Sequence, residues 1–327
     1  MENIHETEQK RSKGAGTVLL VIFIIILVLA AAVYVLYRLS SGRDMHTDSY
    51  EPQGGFYSIQ VDAVECDVTI LPSDEDECKV EYRLPDGVNV AVGTDSGTLI
   101  ITENDNRPWY KKVFDAWAER SYIYVYTPED KYEKIDISTV SGEADVHGEY
   151  KFNSARIETV SGSAELKAEV KDRLEITSTS GQIQVKGANA QAIRLHCTSG
   201  RVSVQDISSE GEIRIDETSG STSIVNVKCE SLDIESVSGS INLKDTVAGD
   251  RMEIKSVSGS VELSDCDADD IYISTVSGSV HGTLLSEKEF ITSTVSGSVH
   301  VPDGKSSTRC EIETTSGSIN FSISDDE

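Results

Sequence analysis

The chain has 327 residues, with 56 acidic against 29 basic side chains and a formal net charge of −27 at pH 7. Residues 1–49 hold five of each sign, so the whole excess lies in 50–327, a surface that repels nucleic acid and anionic headgroups and favours cations or basic partners. No Walker loop, dinucleotide fingerprint or nucleophile motif stands in its required context, so neither a cofactor nor an enzyme activity is expected.

In chain order, residues 1–16 are polar, with Lys10, Arg11 and Lys13 against Glu2, Glu6 and Glu8. Residues 17–37 carry no charge, long enough at helical rise for one transmembrane helix. Ala30-Ala31-Ala32 offers the small residues of a signal-peptidase site, but 33–37 prolong the apolar run beyond it, so an uncleaved single-pass anchor is the reading. The slight basic excess before the span suggests a cytoplasmic N-terminus and an extracytoplasmic remainder at the cell membrane. Residues 38–55 read as a linker that ends in Pro52-Gln53-Gly54-Gly55.

Residues 56–131 are β-patterned without a fixed period, as expected of a cap on a repeat array. Within them, 108–120 places Trp109, Val113 and Trp117 on one helical face beside Tyr110 and Phe114. Exposed, that face is a partner or membrane-surface site, although short amphipathic turns more commonly pack on the strands beneath. Cys66 and Cys78 flank Pro72 symmetrically, so a hairpin turning there would set them opposite for a disulfide.

From 132 to 323 a Ser-Gly pair recurs every 19 or 20 residues, at Gly142, Gly162, Gly181, Gly200, Gly220, Gly239, Gly259, Gly278, Gly297 and Gly317. Positions five and seven before the glycine, and two and four after it, are mostly Ile, Leu, Val or Ala, alternating with polar neighbours at period two. The fold class is therefore all-β: a β-solenoid of about ten coils, with an N-terminal β cap, preceded by the membrane helix. Thr292 and Gly282 break the pattern near the ninth coil, where a local irregularity is expected. The acidic tail 324–327 reads as a charged end that discourages edge pairing.

The motif Ile135-Asp-Ile-Ser-Thr-Val-Ser-Gly142, repeated at Ile271 to Gly278, resembles that of the bacterial putative-adhesin family of β-strand-repeat proteins, a domain of unknown function. The likeness covers roughly 56–322. It implies a surface or envelope protein, often membrane-anchored, and supplies no catalytic residues.

Three candidate sites follow from the pattern. The outward residues six and four before the glycine form a face for extended partners such as envelope glycan or a surface or membrane protein, with Arg194, Arg214, Asp233 and Glu253 at its centre. Glu262, His281 and His300, each three residues after a repeat glycine, would stack into a column with metal-ligand chemistry, though two imidazoles on a convex face read more simply as a solvated ladder. Paired carboxylates for glycoside hydrolysis are not singled out. Binding or scaffolding is thus the expected role; the alternatives are a regulator of envelope-stress signalling and a cytoplasmic rod polymerising through open coil edges.

Overall fold

The computed structural model describes residues 25–35, 45–73, 77–107 and 120–324. Residues 25–35 are helical and exposed; the rest of the expected 17–37 span lies outside the described residues, as does 108–119 with Trp109, Tyr110, Phe114 and Trp117. Among the described residues no helix is long and apolar enough to cross a membrane. The chain divides into two compact units: Met1–Met45, Pro85–Gly87 and Asn106–Glu119 make one, and His46–Leu84, Val88–Asp105 and Arg120–Glu327 make the other.

The second unit is all strand. β1 (Met45–Tyr50) begins within the expected linker, where its polar sequence carries no strand alternation. Then follow β2 (Ser58–Asp62), β3 (Asp67–Pro72), β4 (Lys79–Pro85), β5 (Val88–Asp95), β6 (Thr98–Asp105) and β7 (Tyr122–Thr127). The repeat supplies β8 (Lys131–Thr139), β9 (Ala144–Thr159), β10 (Ala164–Lys186), β11 (Ala192–Ser208) and the long, cornering β12 (Glu212–Ser258). The remainder are β13 (Val261–Cys266), β14 (Asp270–Ser277), β15 (Val280–Leu284), β16 (Glu289–Ser296), β17 (Val299–His300), β18 (Arg309–Ser316) and β19 (Ile319–Ile323).

Like stacks on like in parallel register: Ile176 lies beside Leu195 and Leu195 beside Ile215, while Ile183 lies beside Val202. The inward residues Ile157, Ile176, Ile215, Ile234, Val185 and Ile224 are fully buried, each contributing roughly 1.5–3 kcal/mol of transfer free energy relative to exposure. No coil could bury them alone, so stacking is what makes the alternation pay off in a closed core.

Two corners let the strands turn. At the first, a Cβ on Gly239 (φ +147°) would sit 1.8 Å from the Gly220 carbonyl oxygen, and the same close approach recurs along the glycine column. At the second, six residues after the glycine, Asp206, Asn226, Asp245 and Asp265 adopt φ of 54°, 55°, 50° and 53°. Asn and Asp tolerate this left-handed region because their short polar side chains hydrogen-bond locally; Asn226 Nδ2 donates to Asp206 Oδ1 at 2.8 Å.

The coil order is not the chain order at either end. β2 lies between β6 and β8, and β3 between β7 and β9, so the cap region adds two coils to the stack and the later of them is outermost. At the other end β18 lies between β14 and β16, and β19 between β15 and β17. The last coil in sequence is thus inserted beneath the ninth, which becomes terminal. The expected irregularity at Thr292 is this exchange: the coil with the poorest inward residues is the one left at the open end.

The expected Cys66–Cys78 hairpin does not form. β3 and β4 lie on opposite sides of β7, parallel and antiparallel to it respectively, so the two cysteines never face each other and both thiols are free.

Candidate functional site

Three residues before each repeat glycine the side chain also points inward, by the same parity as the apolar positions five and seven before it. These residues are mostly Ser and Thr, and Thr139, Thr159, Ser178, Ser236, Ser256, Thr275 and Thr314 are all buried. Their ordinary task is to hold the corner: the Gly162 N–H donates to Thr159 Oγ1 at 2.9 Å, and Thr314 Oγ1 donates to the Gly278 carbonyl at 3.2 Å.

In the middle of the stack this task lapses. Ser236 Oγ, Ser256 Oγ and Thr275 Oγ1 have no hydrogen-bond partner among the described residues. One coil earlier the column holds Glu217, 3% exposed, whose Oε2 accepts from Thr222 Oγ1 at 2.9 Å while its Oε1 is unpartnered. Burial pushes the Glu217 carboxyl above its ordinary range, opposed by the Thr222 hydrogen bond.

Outside this column runs a groove of about 380 Å³, lined by Glu217, Ser236 and Ser256, by the exposed Val237 and Val257, and by His196, Asp216, Glu235 and Lys255 on its wall; the unpartnered oxygens themselves are sealed from it. The wall belongs to the charged face expected from the sequence. Arg194 lies beside Arg214 in register. Arg214 bridges Asp216 at 3.0 Å, Asp233 at 2.7 Å and Glu235 at 3.4 Å; Glu253 pairs with Arg251 at 2.9 Å and Lys255 at 2.5 Å. Burial raises the Asp233 carboxyl, with Arg214 opposing. The result is a trough whose exposed lining is largely apolar, with Val237 and Val257 in it, and whose wall offers both signs of charge at coil spacing.

The histidine column is corrected by the coil exchange. Glu262 lies beside His281, but His281 and His300 each lie beside Asn320, which separates them, so the three do not converge on one ion. Among the described residues, Asp145, His147 and Glu165 bring ligand atoms within 4.8 Å of one another. The Lys167 ammonium already rests on Glu165, however, and Gln184 Nε2 donates to the same carboxylate at 3.1 Å.

The family model described as Toastrack DUF4097 matches residues 56–264 and 249–325. No curated protein matches the sequence. A crystal structure of a putative lipid binding protein from Parabacteroides distasonis ATCC 8503 is similar at 15% identity and a TM-score of 0.46, covering 86% of this chain and 98% of that one. A putative adhesin from Bacteroides fragilis NCTC 9343 is similar at 13% identity and a TM-score of 0.40, with the same coverages of 86% and 98%. A putative adhesin from Parabacteroides merdae ATCC 43184 shares 10% identity at a TM-score of 0.38, covering 85% of this chain and 96% of that one. With 56–325 accounted for by the family model, the chain belongs to the Toastrack DUF4097 family.

Proposed function

We propose that the protein is a membrane-anchored, extracytoplasmic solenoid that binds an extended, hydroxyl- and amide-rich partner, envelope glycan being the best chemical match, and performs no catalysis. The observation that carries this reading is one groove along which successive coils repeat the same pattern, an outward charge at Asp216, Glu235 and Lys255 beside exposed Val237 and Val257. A glycan, with polar edges and apolar ring faces, meets these side chains in series at about the 4.8 Å coil spacing, where a compact ligand reaches only one or two. Lys255 on the wall suits carboxylates or acetamido oxygens along such a chain, whereas the surrounding acidic surface disfavours nucleic acid and anionic lipid. The anchor rests on the uncharged 17–37 segment.

The test is sedimentation of the full chain in detergent with purified cell-wall glycan. Glu235→Lys and Lys255→Glu, both on the groove wall, should each lower retention at least ~10-fold, while Lys151→Glu, remote from the trough, should not. Equal retention of all three sinks the proposal. Topology is tested separately, by labelling Lys151→Cys on intact cells with an impermeant thiol reagent; protection until lysis would turn the protein around.

A further inference from the structure

The two ends of the solenoid are finished differently. At one end the outermost coil, β6 and β7, is covered by antiparallel β5 and β4, and its inward residues Leu99, Ile101, Ile123 and Val125 are all 0% exposed. At the other, β16 pairs with β18 and β17 with β19, and no strand lies beyond them among the described residues. There the inward-facing Phe290, Thr292 and Thr294 are half-exposed and Val299 is 38% exposed, whereas Ile271, Ile273 and Val280, their equivalents one repeat earlier, are fully buried.

Along 290–301 this open end also lacks the usual guards of a free edge. Native sheets blunt free edges with charge, proline or a covering element. Yet residues 290–301 contain no Asp, Glu, Lys, Arg or Pro, in a chain of net charge −27, and Val295 stands 83% exposed. The strand that precedes the acidic tail, β19, lies one level inside the edge; the tail residues 325–327 lie outside the described residues.

We propose that a second copy of this chain covers this end, giving a two-fold dimer in which the terminal coils meet edge to edge with β16 antiparallel to its counterpart. Three features select a second copy. Two copies of so acidic a protein repel over most of their surface, and the uncharged 290–301 stretch of this coil, between Glu289 and Asp303, is where they approach with few like charges opposed. A two-fold axis crossing β16 generates the antiparallel pairing that already closes the opposite end. That closure also blocks head-to-tail stacking, so the assembly stops at two.

The test is sedimentation equilibrium of the full chain in detergent from about 1 to about 100 µM, where mass action makes a dimer visible. The wild type should sediment as a reversible dimer. Val295→Lys and Ser293→Lys, both at exposed sites, should raise the dissociation constant at least ~10-fold with an unchanged circular dichroism spectrum. As an independent readout, Ser293→Cys, near the two-fold centre, should form an intermolecular disulfide on mild oxidation. A monomer at all concentrations overturns the proposal, as do a dimer indifferent to both lysines, assemblies larger than two, or a Ser293→Cys protein that does not cross-link.

Discussion

Lys288 Nζ lies 2.7 Å from Asp267 Oδ1 and donates to the Ala268 carbonyl at 2.6 Å, with its side chain 2% exposed. The pair sits where the coil order is exchanged. The Leu285 N–H still donates to the Cys266 carbonyl of the coil beneath, but by Glu289 the chain donates to Thr308 of the inserted coil. Between them it climbs one level, and the buried ammonium ties the climb to the coil it has left. Stranding one member of a buried ion pair costs about 3 kcal/mol or more. Asp267→Asn, which leaves the buried ammonium without its counter-charge, should therefore lower stability by about that amount in guanidinium unfolding, and Lys288→Ala by less, since the carboxylate it strands keeps some solvent contact. An unchanged midpoint for Asp267→Asn would show that the exchange is held by strand pairing alone.

The corner glycines make a paired prediction. A Cβ on Gly239 would meet the Gly220 carbonyl oxygen at 1.8 Å, backbone against backbone, in a conformation at φ +147° that side chains avoid. Gly249, in the same strand, has only ordinary contacts, the nearest at 3.5 Å from Glu230 Oε2. Gly239→Ala should cost about 3 kcal/mol or more by forcing adjacent coils apart, while Gly249→Ala should fall within about 0.5 kcal/mol of neutral. Similar unfolding midpoints for the two variants would refute the account of the glycine column.

The contrast between these glycines and Lys288 shows what the sequence displays. The Ser-Gly period and the apolar pairs are local, so strand identity, inward columns and the charged outer face at Arg214 and Asp233 are all readable from spacing. The column three residues before the glycine escapes a search for apolar alternation because it is Ser, Thr, Cys and Glu217, although its parity marks it as inward. The exchange of the last two coils is invisible for a different reason. Swapping β16 with β18 leaves every spacing unchanged, and the choice is made by which coil best buries its neighbours: Ile312 and Ile319 go inside, Thr292 and Val299 go to the end. The mispairing of His281 with His300, and of Cys66 with Cys78, follows from assuming that neighbours in sequence are neighbours in the stack.

Asp145 gives a pH dependence. Burial first, then the carboxylates of Glu165, Glu143 and Asp67, push its carboxyl up to about 6. In the unfolded chain it titrates near 3.9, so between about pH 4 and pH 6 the native state binds the extra proton. Stability from this group therefore falls as pH rises through that window and stays lower above it. Asp145→Asn should raise the unfolding midpoint at pH 7 and flatten the slope between pH 4 and 6. A variant less stable than wild type at pH 7 would mean that Asp145 makes a compensating contact as the anion.

The six cysteines close the set. All are free; five are buried and Cys78 is half-buried. Burial pushes the Cys78 and Cys310 thiols up to about 12 and Cys266 to about 11, and raises Cys66 further with help from Glu103. Only the thiolate reacts, so at pH 8 these sulfurs are nearly inert both by access and by ionisation. N-ethylmaleimide should modify Cys78 first and slowly, leave Cys66 and Cys310 untouched in the native protein, and label all six in guanidinium. Intact-mass measurement without reductant should find no loss of hydrogens. A mass lower by two hydrogens, with Cys66 and Cys78 unlabelled even after unfolding, would restore the disulfide and require β3 and β4 to leave opposite sides of β7. Rapid labelling of Cys310 would instead mean that the coil exchange opens in solution, since that thiol is sealed between β14 and β16 only while β18 stays inserted.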